Sequence, residues 1–221
     1  MEANLQNDGD AAPFTECGGV KEGRSMASAE RDSEVFSRRP QRADARRNYE
    51  KLIAAARDAF AEGGVSTSLE DIARRAKVGI GTLYRHFPTR QDLFESVYVD
   101  EVEALCRTAA DLADLSPWDA LVGWLRRFVG YTATKRALAE ALNRDSELFV
   151  RCREAIYAAG EPLLRRAQEA GSARADTSFD DVLRLLSGIT TISFVEPGQL
   201  DRVLGMAFDG LRQQPSPAEK G

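Results

Sequence analysis

The sequence predicts an all-α protein, and three observations carry that expectation. Apolar residues recur at helical spacing from Tyr49 to Leu211, so each segment has one apolar side and one charged side. No stretch of useful length alternates apolar and polar residues as a half-buried strand must. The breaks between segments carry helix punctuation: Ser68 and Ser178 as N-caps, Pro117 at a helix start, Gly63-Gly64 and Gly171 at helix ends. At 221 residues, 43% hydrophobic and 29% charged, the composition is that of a soluble protein of one or two domains with a real core.

Residues 1–37 hold 3 basic and 8 acidic side chains and few large apolar ones. They cannot bury enough surface to offset the entropy of ordering and read as a disordered tail. Met26 stands beside Met1 as a candidate start. Arg38, Arg39, Arg42, Arg46 and Arg47 come next, and a helix is expected over about 43–62. Tyr49, Leu52, Ile53, Ala56 and Phe60 form its apolar stripe, and Gly63-Gly64 stop it.

The stretch from Thr67 to Arg90 organises the rest. Ser68 caps a short helix, with Asp71 placed to reach back to the cap's own amide. Leu69, Ile72, Ala73 and Ala76 fall on one face, and Lys77-Val78-Gly79 breaks the helix. A second short helix runs from about Gly79 to His86, with Leu83 and Phe87 inward and Pro88 helping to stop it. Helices of about two turns cannot stand alone, so the Tyr49–Phe60 stripe must brace them. A short, braced pair of this kind is a helix-turn-helix, whose second helix lies in the DNA major groove. Charge agrees. Residues 38–90 hold 12 basic and 6 acidic side chains, a net +6, while residues 91–221 hold 15 and 21, a net −6, within a chain of net −5. A basic end on an acidic body attracts a polyanion at one face only. The arginine run ahead of it is either solvated or an arm on a minor groove or on phosphates.

After Pro88 a helix is expected over about 90–114, with Phe94, Tyr98, Val102, Leu105, Ala109 and Leu112 in period. Pro117 opens the next, where Trp118, Leu121, Leu125, Phe128 and Thr132 are flanked by Val122, Trp124 and Tyr131, wide enough for burial or a cavity wall. Another is expected over about 145–170 through Leu148, Cys152, Ile156, Ala159 and Leu163, kinked or broken at Gly160 and Pro162. Ser178 caps a helix with Val182, Leu185, Leu186, Ile189 and Ile192 on one side. The last carries Leu200, Val203, Leu204, Ala207, Phe208 and Leu211. Residues 214–221 read as a tail.

Little points to an enzyme. His86 is the only histidine, so neither a catalytic triad nor a histidine metal site has material. Gly79-Ile80-Gly81 lacks the preceding strand and following Lys-Ser/Thr of a phosphate loop. Cys17, Cys106 and Cys152 are odd in number and far apart, giving neither a disulfide framework nor a zinc site, and Cys106 and Cys152 read as small core residues rather than a redox pair. No cofactor or metal is expected. The N-terminus lacks the pattern of a secretion signal, and no apolar run of about 18 residues occurs, so a bacterial cytoplasm is expected.

The stretch SLEDIARRAKVGIGTLYRHFPTRQDLF resembles the DNA-binding signature of the TetR (tetracycline repressor) family, over Tyr49 to about Val97, with TLYRHF its strongest part. The resemblance implies a three-helix helix-turn-helix domain over 38–90 and a C-terminal helical ligand-sensing and dimerisation bundle over 91–213. By resemblance Gly81, Thr82, Tyr84 and Arg85 lie on the recognition helix, and His86 and Arg90 hold the phosphate backbone. Thr82 and Arg85 are the expected base readers, with Ile80 and Gly81 near base edges. Arg46, Ser68 and Lys77 complete the DNA-facing set. Lys77 stands where the family commonly has Gly, and a left-handed backbone there would cost about 1–2 kcal/mol. Cys106, Trp124, Phe128, Tyr131 and Cys152 are candidates to line an effector cavity. Leu163, Leu186 and Ile189 are candidates for a four-helix bundle across a two-fold, built from about 161–171 with 180–194. The expected function is a homodimeric repressor on an inverted-repeat operator, nucleoid-associated when bound and released by a small-molecule inducer. An activator or a corepressor-dependent regulator is the alternative. An enzyme with an incidental helix-turn-helix, or a non-specific architectural binder, is more distant.

Overall fold

The computed structural model describes residues 40, 42–139, 141–142 and 146–213. The expected tails over 1–37 and 214–221, with Arg38, Arg39 and Cys17, lie outside the described residues. Among those described, eight α-helices follow one another with no strand: α1 Ala43–Gly63, α2 Leu69–Arg75, α3 Ile80–His86, α4 Arg90–Asp111, α5 Pro117–Ala137, α6 Glu147–Glu169, α7 Phe179–Ile189 and α8 Gln199–Leu211.

The helix ends show why these residues form these elements. Ser68, Thr89, Ser116, Ser146 and Ser178 each accept a hydrogen bond from the backbone N–H of Asp71, Asp92, Asp119, Phe149 and Asp181, so five of the helices begin on a hydroxyl cap. At Thr89 and Ser178 the aspartate also reaches back to the cap, closing a capping box. At Ser68 that expectation fails, because the Asp71 carboxylate is taken by Arg74 and Arg75 instead. Gly171, with φ 65°, ends α6: Ser172 N–H donates to the Ala167 carbonyl at 2.9 Å and Gly171 N–H to that of Gln168 at 2.9 Å.

α1 packs on α2, α3, α4 and α5. Its stripe of Tyr49, Leu52, Ile53, Ala56, Ala59 and Phe60 is buried together with Ile72, Leu83 and Phe87, as the sequence predicts. α4, α5 and α6 pack on one another, and α7 lies against α5, α6 and α8.

Three expectations are corrected. α4 ends at Asp111 rather than near 114, because Ala113 and Leu115 already donate to the carbonyls three residues back, at 3.1 and 3.2 Å, as tight turns. α6 is continuous through Pro162. The carbonyl that Pro162 leaves without an amide belongs to Ala158, on the exposed side of the helix, where water can serve it. Gly160 is a packing residue: a Cβ there would lie 2.3 Å from Phe179 Cζ and 2.6 Å from Trp124 Cη2. Finally, the α7 stripe is split. Val182, Leu183 and Leu186 face the chain's own core, while Leu185 is 45% exposed and Ile192, beyond the helix end, is 61% exposed.

Candidate nucleic-acid interface

The interface begins with the turn between α2 and α3. Lys77 adopts φ 56°, the only positive φ at a non-glycine among the described residues. The left-handed step lets Val78 N–H return to the Ala73 carbonyl at 3.0 Å and Lys77 N–H to that of Arg74 at 3.1 Å. This is the helix-ending motif that glycine normally serves, here made by lysine at a steric cost of about 1–2 kcal/mol. Replacing Lys77 by Gly relieves that strain but adds unfolded-state freedom. Lys77→Gly is therefore expected to stabilise the fold by about 0.5–1 kcal/mol in denaturant titration. A loss of stability would mean that the lysine side chain is doing more than filling the position.

α3 is held from beneath. Gly79 caps it through its backbone, with its carbonyl accepting from Thr82 N–H at 2.8 Å. Leu83 and Phe87 are 0% and 1% exposed, and the Phe87 ring lies 5.3 Å from that of Tyr49 on α1. With that face spent on packing, Ile80, Gly81, Tyr84 and Arg85 turn to solvent, and Thr82 is half-exposed. Among the described residues neither Lys77 nor Arg85 has an ion-pair partner, so both charges stand ready for an external anion.

The remaining DNA-facing candidates divide. Arg46 is exposed on α1, with only a 3.9 Å surface pair to Glu50. Ser68 has its hydroxyl engaged as the α2 cap, 3.0 Å from Asp71 N. His86 is half-buried, its ring edge-on to Tyr49 at 6.0 Å. Burial holds its pKa below the usual histidine value, so the ring is neutral at pH 7 in the free protein. Arg90 has contacts within the fold. Its guanidinium donates to the carbonyls of Val65 and Thr67 and lies 5.3 Å over the Phe94 ring. It ties the start of α4 to the turn that precedes the Ser68 cap, so it helps position the helix-turn-helix from inside. Arg74 and Arg75 are also occupied. Arg75 bridges Asp71 and Glu62, each at 2.7 Å, and the Arg75 hydrogen bond holds the Asp71 carboxyl below its usual range.

The five effector-cavity candidates do come together, in the core between α4, α5 and α6, but packed against one another. Trp124 Nε1 donates to the Leu105 carbonyl at 3.1 Å, and its ring stacks on Phe128 with centroids 5.9 Å apart. The hydroxyls of Tyr131 and Tyr98 share a hydrogen bond of 3.0 Å. Tyr98 in turn stacks on Phe149, with centroids 5.5 Å apart. Tyr98 and Phe149 were not among the candidates, although the Tyr98 period was legible. Burial pushes the Cys106 thiol up to about 11 and that of Cys152 up to about 12, so neither is a ready nucleophile at neutral pH.

The dimerisation candidates divide by burial. Leu163 and Leu186 are 7% and 0% exposed, both used inside the chain's own core, and only Ile189 is half-exposed. Two of the exposed apolar side chains, Leu185 on α7 (45% exposed) and Met206 on α8 (73% exposed), border an open groove of about 430 Å³ floored by Ala207 and Leu211.

Similarity to known proteins follows the same division. Residues 52–97 match the family described as bacterial regulatory proteins, tetR family. Residues 116–213 match the family described as transcriptional regulator SbtR-like, C-terminal domain. The chain is 39% identical to the TetR transcriptional regulator SCO0520 from Streptomyces coelicolor, over 75% of this chain and 99% of that one, with a TM-score of 0.67. It is 35% identical to a TetR transcription regulatory protein from Mycobacterium vanbaalenii, over 78% of this chain and 99% of that one, with a TM-score of 0.62. The HTH-type transcriptional regulator SAR0097 of Staphylococcus aureus (strain MRSA252) is 32% identical over 85 residues, so the chain spans 44% of that curated relative and 37% of itself is matched. Among the described residues no helix is long and apolar enough to cross a membrane.

Proposed function

This chain belongs to the TetR family of bacterial transcriptional regulators, which bind DNA through a helix-turn-helix, and from that premise we propose that it is a repressor, acting in the cytoplasm as a homodimer on an inverted-repeat operator and released by a small-molecule inducer. The observation that carries the reading is the division of α3. Leu83 and Phe87 lock it to α1, while Tyr84, Arg85 and Ile80 are left outward on a basic end. Seven residues read too few base pairs to select a genomic site. Two copies about one helical turn of DNA apart read enough.

Release requires the effector to prefer a state in which the two α3 helices no longer match successive grooves, a coupling of about 1–3 kcal/mol in such systems. Two contacts support α4 as the connecting element. Arg90 at its start holds the turn before α2, and Asp100 and Glu101 farther along hold Arg57 of α1. The effector site in this reading is the aromatic core around Trp124 and Tyr131.

The test is selection of bound sequences from a random duplex library, followed by titration of the selected site with candidate effectors. A symmetric consensus and ligand-dependent release support the reading. An asymmetric or absent consensus removes the homodimeric operator, and undiminished binding at saturating ligand removes the inducer. Arg85→Ala should relax preference at one position per half-site by about 1–3 kcal/mol, since a bidentate arginine–guanine pair is worth that much. Uniformly weaker binding with an unchanged consensus would assign Arg85 to the phosphate backbone.

A further inference from the structure

The first residue of α3 is an isoleucine, and the fold leaves it on the outside. Ile80 is 38% exposed on a surface otherwise furnished by Lys77, Tyr84 and Arg85. It lies one helical turn from exposed Tyr84, on the same side of the helix. The residues beside it are Gly79 and Gly81. Neither glycine is required internally. Gly79 has φ −68°, Gly81 is not among the positive-φ residues, and a Cβ built at either position would meet nothing within 4 Å. Glycine that the backbone and the core do not demand permits close approach of something outside. The pair therefore leaves Ile80 as the foremost side chain at the leading end of the helix, with bare backbone on either side.

An apolar side chain among cations points to one kind of contact in the major groove. The base edges there present donors and acceptors, with a single apolar group, the C5-methyl of thymine. Resting on the reading that α3 enters that groove, we propose that Ile80 is a specificity-determining residue that reads the C5-methyl of a thymine in each half-site, and that Gly79 and Gly81 let it reach the base edge.

The experiment uses the full chain and the operator recovered by library selection. Each thymine is replaced in turn, in symmetry-related pairs, by deoxyuridine, which keeps every hydrogen-bonding group and lacks only the methyl. Binding is measured with the unaltered protein, Ile80→Ala and Tyr84→Ala, after thermal melts confirm that the variants fold. Burying one methyl-sized group is worth about 0.8 kcal/mol, or about fourfold in Kd. One symmetric pair of positions should therefore weaken binding by about tenfold or more, and Ile80→Ala should bind the thymine operator about that much more weakly, with no further loss when deoxyuridine replaces thymine at that pair. The proposal is overturned if no thymine shows a methyl effect. It is also overturned if the effect survives in Ile80→Ala, or survives there and vanishes in Tyr84→Ala. Failure to bind any duplex would remove the DNA-binding reading together with this one, whereas tight operator binding without a methyl effect would remove this one alone.

Discussion

Glu101→Leu is expected to destabilise the fold by about 2–4 kcal/mol in chemical denaturation. Glu101 sits on α4 with its side chain 3% exposed, and each carboxylate oxygen faces a different arginine. Arg57 of α1 brings Nε to 2.6 Å from Oε1, and Arg127 of α5 brings Nη2 to 3.0 Å from Oε2. The Arg57 contact is off the N–H line, so it is a charge–charge contact rather than a directed hydrogen bond. A single carboxylate thereby joins three helices, one of them the brace of the helix-turn-helix. Replacing it by leucine leaves two guanidiniums facing a side chain that can pair with neither. Their side chains are 35% and 32% exposed and can turn partly to water, and Arg57 keeps Asp100 at 2.9 Å. The cost therefore stays below the full 3–5 kcal/mol of an isolated broken buried pair. The sign of a second variant separates charge from packing. If charge dominates, Arg57→Met with Glu101→Leu and Arg127→Met should recover part of the loss, because no guanidinium is left facing an apolar side chain and Asp100, which loses its Arg57 contact, is 19% exposed to water. A triple variant no better than the single one would show that the network is held for its shape.

What was legible in the sequence, and what was not, follows from the range of each interaction. Caps are local: Ser68, Ser178 and Gly171 act within about one turn, and each was read at its place. The inward face of α3 was legible too, because Leu83 and Phe87 stand at helical spacing opposite Arg85. Contacts across the fold were not. Arg90 looks like a phosphate-binding cation in the sequence, and only the folded chain brings Val65 and Thr67 beneath it, 23 and more residues away. Pro162 reads as a kink or a break, and the helix nonetheless runs on through it, with Ala158, whose carbonyl it leaves without an amide, on the exposed side. In α7 the period could not divide Leu185 from Leu186. Successive apolar residues lie about 100° apart on a helix, so both belong to one broad stripe until α5, α6 and α8 decide which part is covered.

That division sets the last expected result. If the chain works as a homodimer, its contact surface should be the part of the stripe that its own core leaves uncovered. Leu185 on α7 and Met206 on α8 flank the same groove, and Arg174 and Asp181 stand among the groove's lining residues. Leu186 and Leu163 already have their partners within the chain. Leu185→Arg should therefore raise the dimer dissociation constant by more than a hundredfold. A charge pressed into an apolar contact costs about 3 kcal/mol or more where the carboxylate one turn away, Asp181, is already engaged by the Ser178 cap, and two-fold symmetry places it there twice. Sedimentation at micromolar concentration should then find monomer, and binding to a symmetric operator should fall to that of a single half-site. Because Leu185 is already exposed, the monomer's own melting should change little. Leu186→Arg gives the contrast: it should unfold the chain rather than separate two copies of it. A Leu185→Arg protein that remained dimeric would place the two-fold elsewhere on the molecule.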